Sequence, residues 1–431
     1  MCPLGRYTRR ALREELKDDN FMRRNVSIIK VALWFVSAIL IVSSCNKDEK
    51  PVYNYFVSKE LKLSYTTATI TSLIDIATQT YPELADIKPY IRYDINVYTM
   101  IYNTTINGEE VEVSGLVCTP AAIGTYPVLS FQNGTNTVNA YAPTEYLVNP
   151  SSQMVQFISS MGFVVLMADY PGFGKSVNIP HPYLITEPTV NSLVDMIRAV
   201  NEGEGSEFQA IYLENKYYLL GYSQGGWATL ALHKALEQEY RSDFNLAGSV
   251  CGAGAYNMYN MFLGMVNTTE YPMPSYLGYI INAYSAYHQF TNPVSDILNE
   301  PYASRLGTLY TGTLTLGQIN NQLTTSIPGL FKQEFLSGFA GAANYSTVRD
   351  ALSNNSLTAW NSAIPLYFIH SDGDTHVPVN STLTMYDAMI AAGTSTSTCK
   401  KLIIPALDHG DAIVPCMTEG LQFLINLKDQ E

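Results

Sequence analysis

Along the chain, short apolar runs alternate with segments of helical periodicity. Residues 64–79 predict a helix. Tyr93–Asn103 and Glu110–Cys118 are rich in β-branched and aromatic residues and flank Asn107-Gly108, a pair suited to a tight hairpin. Val128–Phe131 predicts a short strand and Glu145–Met161 a helix. Phe163–Ala168 is apolar throughout, as expected of a strand buried on both faces. A helix over Asn191–Asn201, a strand over Tyr217–Leu220, an amphipathic helix over Ala228–Tyr240 and a strand over Leu246–Val250 follow. The alternation then stops. Residues 253–360 are rich in Tyr, Met, Asn, Thr and Gly, with irregular helical periodicity. It resumes with a strand at Ile364–Ile369, a helix at Ser381–Ala392, a strand at Leu402–Ile404 and a helix at Gly420–Leu427. Strands alternating with helices predict an α/β fold, a mostly parallel sheet covered on both faces. The interrupting segment is too long for a loop. It is expected to be a helical cap inserted between two parts of the core, 61–252 and 361–431.

Composition narrows the function. The 431 residues are 47% hydrophobic and 15% charged, enough apolar material for a large core. The net charge of −13 repels phosphate backbones and argues against a nucleic-acid partner. Tyr is abundant, 31 against 16 Phe, and an apolar ring with a polar tip suits clefts as well as exposed surfaces.

The N-terminus reads as a targeting segment over residues 1–44. Arg23, Arg24 and Lys30 precede the apolar run Val31–Ser44, which is shorter than the roughly 20 residues a membrane helix needs. The run ends at Val42-Ser43-Ser44-Cys45, similar to a lipobox, which makes Cys45 the expected lipidated residue. A cleaved soluble signal and a membrane anchor are the alternatives, and Met22 is a candidate start. Residues 45–60, opening on Asn46-Lys47-Asp48-Glu49-Lys50, are expected to be a solvated tether. The lipobox-like motif implies export and lipid anchoring, and the acidic cluster after Cys45 resembles the surface-export signal of some Gram-negative lipoproteins, which implies the outer membrane and the cell surface. Of the remaining cysteines, Cys118 and Cys251 end apolar runs and read as buried thiols. Cys399 and Cys416 bracket a strand and loop and are the candidate disulfide pair. No Cys or His spacing suggests a metal site.

The strongest chemical signal is Gly221-Tyr222-Ser223-Gln224-Gly225-Gly226, between a predicted strand and a predicted helix. A nucleophilic Ser must project from the sheet edge on a sharp turn, and Gly221 and Gly225 remove side chains that would collide there. A structural turn whose Ser only caps the helix is the alternative. A Ser hydroxyl needs a base, and the base an orienting acid. His409, after the last predicted strand, is the leading base and His376 its rival; His181, His233, His288 and His370 fit less well by order or position. Asp372 and Asp374, after Ile364–Ile369, both qualify as the acid. The tetrahedral oxyanion needs two donors. The N–H of Gln224 is one, and the loop Gln132–Asn136, with Thr135, is expected to hold the second.

Together these pieces resemble the α/β-hydrolase superfamily from about residue 93 to the end. His370, Asp374 and Val377-Pro378 match its His-Gly-x-x-Asp-x-x-Val-Pro pattern, with Ser371 in place of Gly, and the match assigns the acid to Asp374. Asp169-Tyr170-Pro171-Gly172-Phe173-Gly174 fits a second frequent motif that shapes a loop. Gln132-Asn133-Gly134-Thr135 is similar to the Gln-His-Gly-Thr oxyanion loop, with Asn133 departing from it. Gly-Tyr-Ser-x-Gly-Gly and a large cap between the sixth and seventh strands resemble the secretory-lipase group. The resemblance implies a serine hydrolase of carboxylic esters with catalytic Ser223, Asp374 and His409, no cofactor, and a small-molecule or lipid ester as substrate. Carbohydrate esterase, serine peptidase and an inactive surface-binding lipoprotein are the rival functions. By analogy the cap would bind the acyl chain with residues such as Met261, Met265, Tyr276 and Tyr279; alternatively these side chains form the cap's own core.

Overall fold

The computed structural model describes residues 52–430. The targeting segment, Cys45 and the first part of the expected tether lie outside the described residues.

Nine strands form one sheet: β1 (Phe56–Tyr65), β2 (Ile95–Ile106), β3 (Glu109–Pro120), β4 (Gly124–Gln132), β5 (Val164–Ala168), β6 (Ile211–Tyr222), β7 (Leu246–Gly252), β8 (Leu366–Ser371) and β9 (Cys399–Ile404). Their spatial order is β1-β2-β3-β5-β4-β6-β7-β8-β9. The first four neighbours, through β3 against β5, pair antiparallel, and the rest of the sheet is parallel. At the β2–β3 hairpin Asn107 and Gly108 both have positive φ, 51° and 81°, as the twist of such a turn requires.

Thirteen α-helices accompany the sheet among the described residues. Those of the core are α1 (Thr67–Ala77), α2 (Pro150–Phe157), α3 (Thr186–Glu202) and α4 (Gln224–Gln238). Between β7 and β8 lie α5 (Met258–Val266), α6 (Pro274–Ala286), α7 (Tyr302–Leu309), α8 (Leu316–Asn320), α9 (Ile327–Leu330), α10 (Gln333–Gly338) and α11 (Ser346–Asn354). The chain closes with α12 (Asn380–Ala391) and α13 (Ile413–Asp429). The sheet separates two cores. Val164, Leu166 and Ala168 of β5 join the core with α3 and α4, while Val165 and Met167 join the core with α1, α2 and α13. This is why Phe163–Ala168 carries no polar position. No helix among the described residues is long and apolar enough to cross a membrane.

Several expectations need correction. The tether does not extend to residue 60: from Phe56 the chain is β1, paired antiparallel with β2. Lys59, Glu60 and Lys62 resemble a linker in sequence, but an edge strand carries such charges to discourage further pairing. Because β1 adds a strand, the helical insertion follows the seventh strand, not the sixth. The helix expected over Glu145–Met161 begins only at Pro150, where Pro is tolerated at a first helical position and Asn149 caps the amides of Ser151 and Ser152. It tightens into a 3₁₀ turn over Ile158–Met161. Cys399 and Cys416 do not pair; with Cys118 and Cys251 they are free thiols. Cys399 belongs to the core on one side of the sheet and Cys416 to the core on the other, so the sheet stands between them.

Candidate active site

The parallel strands deliver the candidate residues to one edge. Ser223 follows β6, the loop 133–136 follows β4, Asp374 follows β8 and His409 follows β9. All four segments leave the carboxyl ends of their strands, where open α/β sheets place their ligands.

Ser223 sits at φ 61°, ψ −121°, a conformation that costs a non-glycine residue about 1–3 kcal/mol. Its surroundings maintain it. The Ser223 amide donates to Gly252 O at 2.9 Å, and α4 starts at the next residue. A Cβ on Gly225 would lie 1.9 Å from Gln132 O, and one on Gly221 would lie 2.4 Å from Gly225 O. Both glycines are therefore needed where the turn is pressed between β4 and the first turn of α4.

Ser223, His409 and Asp374 form one hydrogen-bonded line. His409 Nε2 is 2.9 Å from Ser223 Oγ, and His409 Nδ1 is 2.5 Å from Asp374 Oδ2. A proton on Nδ1, donated to the carboxylate, leaves Nε2 free to accept from the seryl hydroxyl. The amides of His376 and Val377 donate to Asp374 Oδ1 at 2.9 and 2.8 Å. Burial by itself would raise the pKa of Asp374. Hydrogen bonds from His370 and His409, the charge of His409 and the Val377 amide outweigh it, and the carboxyl is held well below its usual range. Tyr222 donates its hydroxyl to His409 O at 2.8 Å, which fixes the histidine loop against the strand carrying the nucleophile.

The rival residues stand outside this line. Asp372 is exposed and accepts from the Ala406 amide at 2.6 Å, tying the acid loop to the histidine loop. The His376 ring lies beside that of His409, with centroids 5.1 Å apart, and its Nδ1 has no hydrogen-bond partner among the described residues. His233 is buried on α4 between Ser249 and Ser362.

Two histidines that fit less well as the base, His181 by order and His370 by position, touch the site all the same. His370 ends β8 and contacts Asp374 Oδ2 through Nε2 at 3.2 Å, while its Nδ1 lies 2.7 Å from Thr382 Oγ1. The acid thus carries two imidazoles on one oxygen. His181 is buried, which lowers its pKa to about 4 and keeps it neutral. Its Nδ1 donates to Pro171 O at 2.8 Å, so its Nε2 accepts from Gln224 Nε2 at 2.8 Å. The available signal was position: His181 closes the loop begun by Asp169–Gly174, and Gly172 packs directly against it.

Gln224 is the first residue of α4, where amides lack intrahelical acceptors. The loop facing it is held firmly. Asn133 Nδ2 donates to Ala168 O at 2.6 Å, Tyr170 donates to Asn133 O at 3.3 Å, and Thr229 of α4 donates to the Gln132 side chain at 2.7 Å. The Thr135 hydroxyl is hydrogen-bonded with that of Tyr183 at 2.9 Å.

The helical insertion closes over Ser223. Met261 and Met265 of α5, Tyr276 and Ile280 of α6, and Tyr271 between them line a cavity of about 20 Å³ together with Ser223 and Gln224. That is room for about one water molecule. The other aromatic residues divide as the two readings of the segment suggested. Phe262 packs against Phe331, Phe335 and Phe339 inside the insertion, whereas Tyr284 donates to Leu184 O of a core loop. Tyr279 stacks on Tyr183 and donates to Asn136 O, and Tyr287 donates to Pro180 O. The hydroxyls of Tyr271, Tyr279, Tyr284 and Tyr287 thus pin the insertion to core loops.

A sheet in this order, with a strained seryl turn, an imidazole and a carboxylate meeting at its carboxyl edge, is that of an α/β-hydrolase. The secretory lipase family model matches residues 145–417, more than half of the chain. The chain belongs to the secretory lipase family and is a carboxylic ester hydrolase. Comparison with curated protein sequences finds no match. Solved structures share the fold. A Legionella pneumophila protein is 22% identical, with 88% of this chain and 99% of that one covered at a TM-score of 0.78. The rice cell wall degrading esterase LipA from Xanthomonas oryzae is 22% identical over 88% and 98% of the two chains, with a TM-score of 0.73. Candida antarctica lipase A in its closed state is 17% identical over 88% and 83%, with a TM-score of 0.63.

Proposed function

We propose that the enzyme cleaves its esters through an acyl-enzyme on Ser223. His409 Nε2 takes the hydroxyl proton as Ser223 Oγ attacks the ester carbonyl. Asp374 keeps the proton on Nδ1 and stabilises the imidazolium that forms. The main-chain amides of Gln224 and Thr135 receive the oxyanion. His409 then protonates the leaving alcohol, and water resolves the acyl-enzyme by the same steps in reverse. No step calls for a cofactor. The observation that carries this reading is the unbroken line Ser223 Oγ, His409 Nε2, His409 Nδ1, Asp374 Oδ2. The segment 253–360 acts as a lid: the cavity beneath it is too small for any ester, so α5 and α6 must move for substrate to enter. The lipobox-like Val42–Cys45 motif supports export and anchoring by lipid at Cys45, on the outer membrane.

A panel of p-nitrophenyl esters and matched p-nitroanilides tests the activity. The account expects ester turnover with kcat on the order of 1–10³ s⁻¹ and little or none on the anilides. A preference for anilides would favour the peptidase, and silence on every substrate would favour an inactive binding protein.

A further inference from the structure

The cavity at Ser223 is not the largest near the catalytic edge. On the opposite flank of the seryl turn lies a pocket of about 430 Å³. Its walls come from Leu84 and Ile87 of a 3₁₀ turn, Met154 and Val155 of α2, and Met417 and Leu421 of α13. Its inner end is made by Asn133 and Gly134 of the loop after β4 and by Tyr222. Tyr81 and Ile413, each about 40% exposed, stand among its lining as large apolar groups in contact with water.

We infer that this pocket binds a long unbranched acyl chain. The inference deepens the proposed ester hydrolysis by naming a ligand class beside the same site. Four observations support it. The volume falls in the ordinary range for small-molecule sites, whereas the cavity at Ser223 does not. Most of its lining is apolar, with Leu84, Ile87, Val155, Leu220 and Leu421 among it, as in sites that take small apolar ligands. No carboxylate, ammonium, guanidinium or imidazole group lines it, so a charged or strongly polar ligand would lose its hydration without compensation. Two of its residues are methionines, whose flexible thioethers adapt to the bends of an alkyl chain.

Position gives the pocket its consequence. Tyr222 precedes Ser223 and holds His409 O, and Asn133 and Gly134 belong to the loop expected to receive the oxyanion. A chain in the pocket therefore lies against the frame of the catalytic residues. Two sources supply the same chemistry: the tail of the ester being cleaved, or a free fatty acid held after release.

The test uses cis-parinaric acid, a fluorescent fatty acid that is not a substrate, with wild-type protein and two variants, Ala77→Trp and Ser152→Trp. Both positions line the pocket, neither side chain belongs to the catalytic machinery, and a large ring at either fills the space. The wild type is expected to bind the probe, and each variant to bind it at least about tenfold more weakly, with p-nitrophenyl acetate turnover unchanged as evidence of folding. If the tail comes from the substrate, kcat/KM for p-nitrophenyl palmitate falls in the variants as well; if from a free fatty acid, the palmitate value stays and only probe binding is lost. Either result supports the site. Wild-type protein that does not bind the probe, or folded variants that both bind it as the wild type does, would overturn it. Probe binding needs no turnover, so its outcome is independent of the role given to Ser223.

Discussion

Ser223→Ala is expected to lower kcat on p-nitrophenyl butyrate by about 10⁶, to the level left by binding and oxyanion stabilisation. The fold should survive, because among the described residues the Ser223 side chain has no hydrogen-bond partner other than His409. Ser223→Gly separates chemistry from strain more sharply. At φ 61°, ψ −121° a Cβ is unfavourable, and glycine adopts this backbone freely. The glycine variant should be equally inactive yet at least as stable as the wild type, with a small rise in Tm. An alanine variant retaining substantial turnover would place the nucleophile elsewhere. A glycine variant with a markedly lower Tm would show that the turn is not strained.

The second large effect is expected at Asp374. Asp374→Asn should lower kcat by about 10⁴, because an amide nitrogen facing His409 Nδ1 favours the tautomer whose Nε2 can no longer accept the seryl proton. The substitution also has a pH signature. The Asp374 carboxyl is held below its usual range in the folded protein. A carboxyl depressed in this way contributes stability that is fully present above its unfolded pKa, near about 4. That stability is lost as pH falls through the folded value. The wild type should therefore exceed the variant in stability by a constant margin at neutral pH, and the margin should narrow only below about pH 4. A margin that closes between pH 5 and pH 8 would mean that another group carries the linkage. Denaturant titrations of both proteins across pH decide this.

The parts of the site that were legible in the sequence are those whose chemistry forces a local pattern. A seryl turn squeezed between β4 and α4 has no room at Gly221 or Gly225, so glycines appear there at fixed spacing. The order of segments along the chain pointed to His409 and left Asp372 and Asp374 both open, the family resemblance choosing Asp374; in the structure His409 contacts Ser223 and Asp374 contacts His409. Contacts between side chains left no such mark. His181 reaches Gln224 across a loop and is a lone histidine in sequence, and His370, although part of the motif around Asp374, shows nothing in sequence of its contact with that carboxylate. The strand β1 was hidden because an edge strand and a solvated tether select the same charged residues. Cys399 and Cys416 looked like a pair because sequence distance says nothing about which side of the sheet a side chain takes. In the insertion, short helices joined by turns and tyrosine hydroxyls bonded to core carbonyls blur the helical period that marks the rest of the fold.

The central claim is that the Ser223 hydroxyl is the nucleophile, activated by His409. Labelling the intact enzyme with a fluorophosphonate and mapping the adduct by mass spectrometry tests it most directly. The account predicts one adduct, on the peptide containing Ser223, formed much more slowly in His409→Ala. An enzyme that turns over esters but carries its adduct on another residue, or labels equally fast without the imidazole, would contradict it.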